Sequence, residues 1–202
     1  MYIMELNKEK IEGALKALGE VLEHNNAPPT ELVVCGGAAL NVLGFVQRTT
    51  RDIDVVGTLK KNGDIIRLRK MKDFPSYLSR AITDVKKTLG LPDDWINLGP
   101  EQNIDYAFLP TGIETRLVRM EYGRKLVIFY ISRIDQIYFK LLAATAMEAG
   151  QHFDDLKVLN PTDRELEDAT MWVLTQSIVD DKKENFKKIL EKLGYGNIAQ
   201  RI

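Results

Sequence analysis

A β-branched run, Leu32-Val33-Val34-Cys35, ends in Gly36-Gly37, and after fourteen intervening residues a second one carries Asp52-Ile53-Asp54-Val55. No other feature constrains the chain as much. Side chains alternate across a strand, so Asp52 and Asp54 share a face, roughly 6.5 Å apart along the backbone. Two carboxylates at that spacing suit one or two divalent cations. The glycine pair falls where a strand turns into a helix, and a helix N-terminus offers bare N–H groups to phosphate. Together these residues read as a site for Mg²⁺ and a nucleoside triphosphate.

The 202 residues suffice for one full domain with a smaller helical appendage. A net charge of −1 gives no global electrostatic case for nucleic acid or an anionic membrane, though a local one stays open. The single cysteine, Cys35, cannot form an internal disulfide. It fits a reducing cytosol and reads as a small buried residue rather than a nucleophile. The opening Met1-Tyr2-Ile3-Met4-Glu5-Leu6 has no signal-peptide pattern, and no apolar run approaches the ~20 residues that span a bilayer. These readings predict a cytoplasmic protein without a membrane segment.

Asn7 caps an expected helix with Ile11, Leu15, Leu18 and Leu22 on one face, ended by the breaker Asn25–Thr30. Strands are expected at Leu32–Cys35, Thr50–Val56, Asn103–Leu109 and Lys125–Ile131, with helices at 36–43 and 77–89. Between them, Lys60, Lys61, Arg67, Arg69, Lys70 and Lys72 face Asp64 as the sole acid of residues 60–72. Such a run is usually a solvated face; the functional alternative is a guide for a nucleotide or an RNA. After Ser132 the pattern turns helical. Ser132 with Asp135 and Thr162 with Glu165 resemble capping boxes, and a last helix is expected over 182–193. The expected fold class is α+β, a small mixed sheet with flanking helices over 1–131 and an all-helical region over 132–202.

Nucleotidyl transfer moves NMP onto an acceptor and expels pyrophosphate. Both the reacting phosphate and the leaving group are anionic, and two magnesium ions about 4 Å apart neutralise them best. Magnesium prefers hard oxygen ligands. Asp52 and Asp54 supply part of the set, and Asp105, read as a strand acid, is the candidate third carboxylate. If three such groups converge, their repulsion demands cations. The structural alternative is an Asp-x-Asp on the wet face of an edge strand, with Asp105 facing solvent. Arg51 is expected to steady a carboxylate or to meet a phosphate.

Cys35-Gly36-Gly37 and Asp52-Ile53-Asp54-Val55 resemble the nucleotidyltransferase superfamily, the DNA polymerase β-like fold. Its pattern is a hydrophobic residue, Gly, Gly or Ser, a gap, then acid–hydrophobic–acid. Gly37 departs from the Ser of many members, and the gap is slightly long. Gly36 to Leu40 and Arg48 to Asp54 look like the AbiEii and MenT-type branch, toxins of type IV toxin–antitoxin systems. They look still more like its uncharacterised relatives. Trp95-Ile96-Asn97, Lys140-Leu141, Asp155-Leu156, Pro161-Thr162 and Trp172 extend the likeness from Leu32 to Trp172.

The resemblance implies that Gly36, Gly37 and Lys140 contact the triphosphate. It also favours a functional Asp155, which would hold Lys140 or act as base for the acceptor hydroxyl. His152, three residues from Asp155, would orient it, and His24 is expected in solvent. The structural alternative for the trio is a surface ion pair beside a half-buried histidine.

The leading expectation is a nucleotidyltransferase using magnesium or manganese and an NTP. Its acceptor would be RNA, protein or a small molecule, and a cognate antitoxin is an expected partner. A monomer or homodimer fits. The competing expectation is a nucleotide-binding or protein-interaction module of the same fold that transfers nothing.

Overall fold

A computed structural model describes residues 5–63, 65–99, 104–147, 150–176 and 182–202. The chain forms two compact units, one from residues 1–102 and 114–131, the other from 103–113 and 132–202.

The first unit is a mixed sheet with helices. Helix α1 (Lys8–His24) starts at Asn7, whose side chain accepts from the Lys10 N–H. Ile11, Leu15, Leu18 and Leu22 recur at helical spacing, and all four are buried. Strand β1 (Thr30–Cys35) runs straight into α2 (Gly36–Val42). Strands β2 (Ile53–Asn62) and β3 (Ile65–Arg69) form a hairpin, and α3 (Ser76–Leu89) follows. Strands β4 (Ile96–Asn97), β5 (Val118–Glu121) and β6 (Leu126–Tyr130) complete the sheet.

The order is β3-β2-β1-β6-β5, with β4 beside β2. β1 is antiparallel to β2 and parallel to β6. A strand with neighbours on both sides is fully hydrogen-bonded, and β1 accordingly carries the apolar Leu32, Val33 and Val34, all at 0% exposure. Helix α1 packs on α3, α2 and β6. These contacts place one core of aliphatic side chains around Trp95, whose indole N–H donates to the Ile82 carbonyl.

In the second unit α4 (Arg133–Met147) packs against α5 (Gln151–Leu159), α6 (Asp163–Val173) and α7 (Lys183–Lys192), and α7 packs on α8 (Gly196–Ala199). Thr162 and Glu165 form the reciprocal box expected of them. At the other expected box, the Asp135 N–H donates to Ser132 Oγ. Arg133 ties the α5–α6 junction by donating to the Leu159 and Asn160 carbonyls and to Glu165.

The structure corrects the expected strand Asn103–Leu109. Asn103 lies outside the described residues. Tyr106–Phe108 is a short 3-10 turn capped by Asp105, whose carboxylate accepts from the Ala107 N–H at 2.9 Å. A local Asp-to-backbone bond outcompeted the strand. The expected second strand begins later, at Ile53, and runs on through the lysines to Asn62. The cationic segment is therefore largely β-hairpin, which its charge had hidden.

Gly19 lies where α1 meets the turn before β6. A Cβ there would sit 1.7 Å from the Tyr122 carbonyl oxygen, which is backbone and cannot swing aside. Gly19→Ala should therefore destabilise the protein by about 1–3 kcal/mol despite the better helix propensity of alanine. Urea denaturation checks this, and an unchanged midpoint would contradict the packing.

Candidate active site

The site in the first unit is built by one rung of the sheet. Cys35 stands opposite Asp54 across the β1–β2 pair. The chain leaves β1 there, and Gly36 opens α2 at φ +70°, a left-handed conformation natural to glycine. A Cβ at Gly36 would fall 2.5 Å from Asp54 Oδ2, so the glycine backbone lies directly against the carboxylate. Gly37 is packed in a different way. A Cβ there would meet Thr50 Oγ1 at 2.7 Å, with an Arg48 guanidinium nitrogen at 3.4 Å. The absence of Ser at position 37 thus has a local reason, since Thr50 fills the space a serine side chain would need.

Asp52 and Asp54 flank Ile53, which is fully buried while both acids are half-buried. Asp54 lies on β2 and Asp52 immediately precedes that strand, so the exposure pattern alternates as a strand's does. Asp52 Oδ2 accepts from Asn97 Nδ2 at 2.9 Å. Asn97 is fixed in turn, because its Oδ1 accepts from the Gly99 N–H at 2.7 Å. Its strand β4 runs parallel to β2, with Asn97 opposite Asp54. Burial pushes the Asp52 carboxyl above its ordinary range, the Asn97 hydrogen bond pulls it down, the Asp94 charge adds an upward push and Arg51 a downward one. Arg51 itself is exposed. Sequence reasoning missed Asn97 as the partner of an acid. The Trp95-Ile96-Asn97 element was the available signal, but only the β4–β2 pairing gives the asparagine that role.

In the second unit, Lys140 on α4 and Asp155 on α5 form an ion pair at 2.8 Å, with side chains 6% and 2% exposed. The structure thus brings together two of the expected residues, and as a buried pair rather than a surface one. His152 is half-buried on the helix that carries Asp155, and His24 is exposed at the end of α1. Asp105 is held near α6, where its N–H donates to Gln176 Oε1 at 3.4 Å. Cys35 is buried, as expected. No group of three or more His, Cys, Asp or Glu arranged to hold a metal occurs among the described residues.

Residues 10–200 match a family model described as "Nucleotidyltransferase of unknown function (DUF6036)". The chain belongs to this family. The match covers both units and includes every expected site residue. No curated protein and no solved structure matches the chain. The AbiEii/MenT-like branch is not identified by the family match. No helix among the described residues is long and apolar enough to cross a membrane.

Two predictions follow from how the charges are held. The folded state binds the Asp52 proton more tightly than an unfolded chain with the ordinary value of 3.8, so Asp52 lowers stability as pH rises above that value. Asp52→Asn should therefore melt higher than the parent protein at neutral pH, and the gap should close as pH falls towards 3.8. Thermal melts across that range decide it, and a gap that widens in acid would reverse the sign. Lys140→Met should cost about 3–5 kcal/mol by removing the buried cation beside the buried Asp155 carboxylate, while Lys140→Met with Asp155→Leu should regain most of it. Urea denaturation of the three proteins tests this.

Proposed function

We propose that this chain is a magnesium-dependent nucleotidyltransferase that moves NMP from an NTP to an acceptor hydroxyl. The observation that carries the proposal is the Gly36 backbone lying against the Asp54 carboxylate, with the half-buried Asp52 two residues before it. Triphosphate and acids need to be neighbours in this reaction, and a triphosphate held by the Gly36 backbone would lie beside Asp54.

Asp52 and Asp54 fit a divalent cation on chemical grounds. Both offer hard oxygen donors, and the partly desolvated Asp52 gains more from a nearby positive charge than a solvated carboxylate would. Magnesium held there would supply the charge neutralisation that phosphoryl transfer requires. Asn97 donates to Asp52 and keeps its orientation. Gly36 and Gly37 would present backbone N–H groups to the triphosphate, with Arg51 at its edge. The acceptor oxygen attacks the α-phosphorus and forms the new ester bond. The bond from the α-phosphorus to the bridging oxygen breaks, and pyrophosphate leaves with its electron pair. The acceptor proton passes to a base. Roles as third carboxylate for Asp105, triphosphate contact for Lys140 and base for Asp155 belong to the same proposal. They fall in the second unit and call for separate substitutions. The supply of NTP would put the reaction in the cytoplasm.

The test is incubation with α-labelled NTP, magnesium and total cellular RNA or protein. Label should move to one fraction with release of pyrophosphate. Asp54→Asn should lower the rate by at least ~100-fold with a melting temperature within a few degrees of the parent. If the chain is the toxin of a type IV pair, which the resemblance suggests, induced expression should arrest growth and Asp54→Asn should relieve it. No transfer from any NTP with any fraction would overturn the proposal.

A further inference from the structure

The β2–β3 hairpin carries more positive charge than the fold uses. The register pairs Thr58 with Arg69, Lys60 with Arg67 and Asn62 with Ile65. Alternation puts these six side chains on one face. Lys60 and Arg67 are thus like charges directly opposite one another, an arrangement that opposes strand pairing. Arg69 follows on the same face, and Lys60, Arg67 and Arg69 are all exposed.

The acids nearby compensate only part of this charge. Lys61, on the other face, pairs with Glu31 at 3.2 Å. Arg67 lies 3.9 Å from Glu114 and stays 62% exposed. Lys60 and Arg69 have no carboxylate within ion-pair distance among the described residues. Asp64 is the only acid of residues 60–72, and its own placement lies outside the described residues.

Cations on an edge strand often serve to deter edge-to-edge pairing. The pairing of β2 with β1 ends at Gly57, so at Lys60 the strand has β3 on one side only; edge protection accounts for a cation there but not for a second one directly opposite it. The outer edge of β3 is also partly covered, because the Leu68 N–H donates to Glu114 Oε1 at 3.3 Å. A repulsive pair directly across two strands is the kind of local inconsistency that marks function.

We propose that this hairpin face is a docking arm for the phosphodiester backbone of a nucleic-acid acceptor. The proposal rests on the transfer reading and narrows its acceptor class. A row of long, mobile cations matches the regular charge of a polynucleotide and needs no base contact to do so. A membrane surface fits less well. It would require the cations on one face and a continuous apolar strip on the other, whereas the exposed Ile65 and Ile66 point to opposite faces. The net charge of −1 makes the arm a local feature rather than part of a generally basic protein.

The test measures binding of a fluorescein-labelled stem-loop RNA by anisotropy, without NTP, across a salt series. The parent protein is compared with Lys60→Gln/Arg67→Gln/Arg69→Gln. A control triple, Lys16→Gln/Arg80→Gln/Lys87→Gln, removes the same charge from exposed positions on α1 and α3. The hairpin triple should bind at least ~10-fold more weakly at low salt and lose about 2 from the magnitude of the log–log salt slope. The control should move neither quantity by more than about a third as much, and melting temperatures should agree. Equal loss in both triples, no RNA binding by the parent, or hairpin-dependent binding only to phosphatidylserine vesicles would each overturn the proposal. Because NTP is absent, RNA binding without any label transfer would refute the transfer reading alone. Label transfer without RNA binding would refute the arm alone.

Discussion

The candidate chemistry depends on a single antiparallel rung, Cys35 opposite Asp54. β1 is paired on its other side to β6 over five consecutive residues, Thr30 to Val34, so it has no freedom to slide. A register slip of one residue would turn Asp54 into the core and bring Ile53 out. The irregularity between Val33 and Val34 shifts the pairing just before the glycines. The turn into α2 therefore arrives beside the acid with its backbone exposed to it, and any side chain at position 36 would intrude.

The two units treat charge in opposite ways. In the helical unit a buried lysine and a buried aspartate neutralise each other at close range. Such a pair contributes little net stability against apolar residues of similar size, but neither member can be removed alone without penalty. In the sheet unit Asp52 is partly desolvated, and the Asn97 amide and the Arg51 charge offset burial only in part, so its carboxyl is displaced upward. A fold selected only for stability would place an asparagine or a serine there. The partly desolvated acid is the more informative of the two arrangements, because a raised carboxyl in such a place is commoner at functional sites than in a structural ion pair.

Much of this was legible in the letters. The period-2 arrangement of Asp52, Ile53 and Asp54 gave a buried isoleucine between two half-buried acids, and the stripe of Ile11, Leu15, Leu18 and Leu22 gave α1 with its cap. Thr162 and Glu165 marked a helix start by chemistry alone. What escaped depends on distant partners or on local competition. Asp105 sits in an apolar run, but its side chain bonds to the backbone two residues on and ends strand geometry there. β3 was hidden because its alternation, Ile66-Arg67-Leu68-Arg69, is only four residues long, sits inside a run of charges and buries Leu68 alone. β4 is only two residues long, and nothing in Ile96-Asn97 by itself announces pairing with β2. Lys140 and Asp155 were visible as candidates, whereas their depth was not, since burial of a lysine depends on which helices close over it.

Residues 103–113 are grouped with the helical unit although the sheet resumes after them. The Phe108 carbonyl accepts from both the Trp172 indole and the Gln176 amide of that unit. The chain therefore enters the helical unit, returns to lay down β5 and β6, and enters it again. Neither half is a continuous stretch of polypeptide. A ribosome releasing this chain in order has emitted a piece of the helical unit before the last two strands exist, and that piece must wait for residues 172 and 176 before its carbonyl finds those donors.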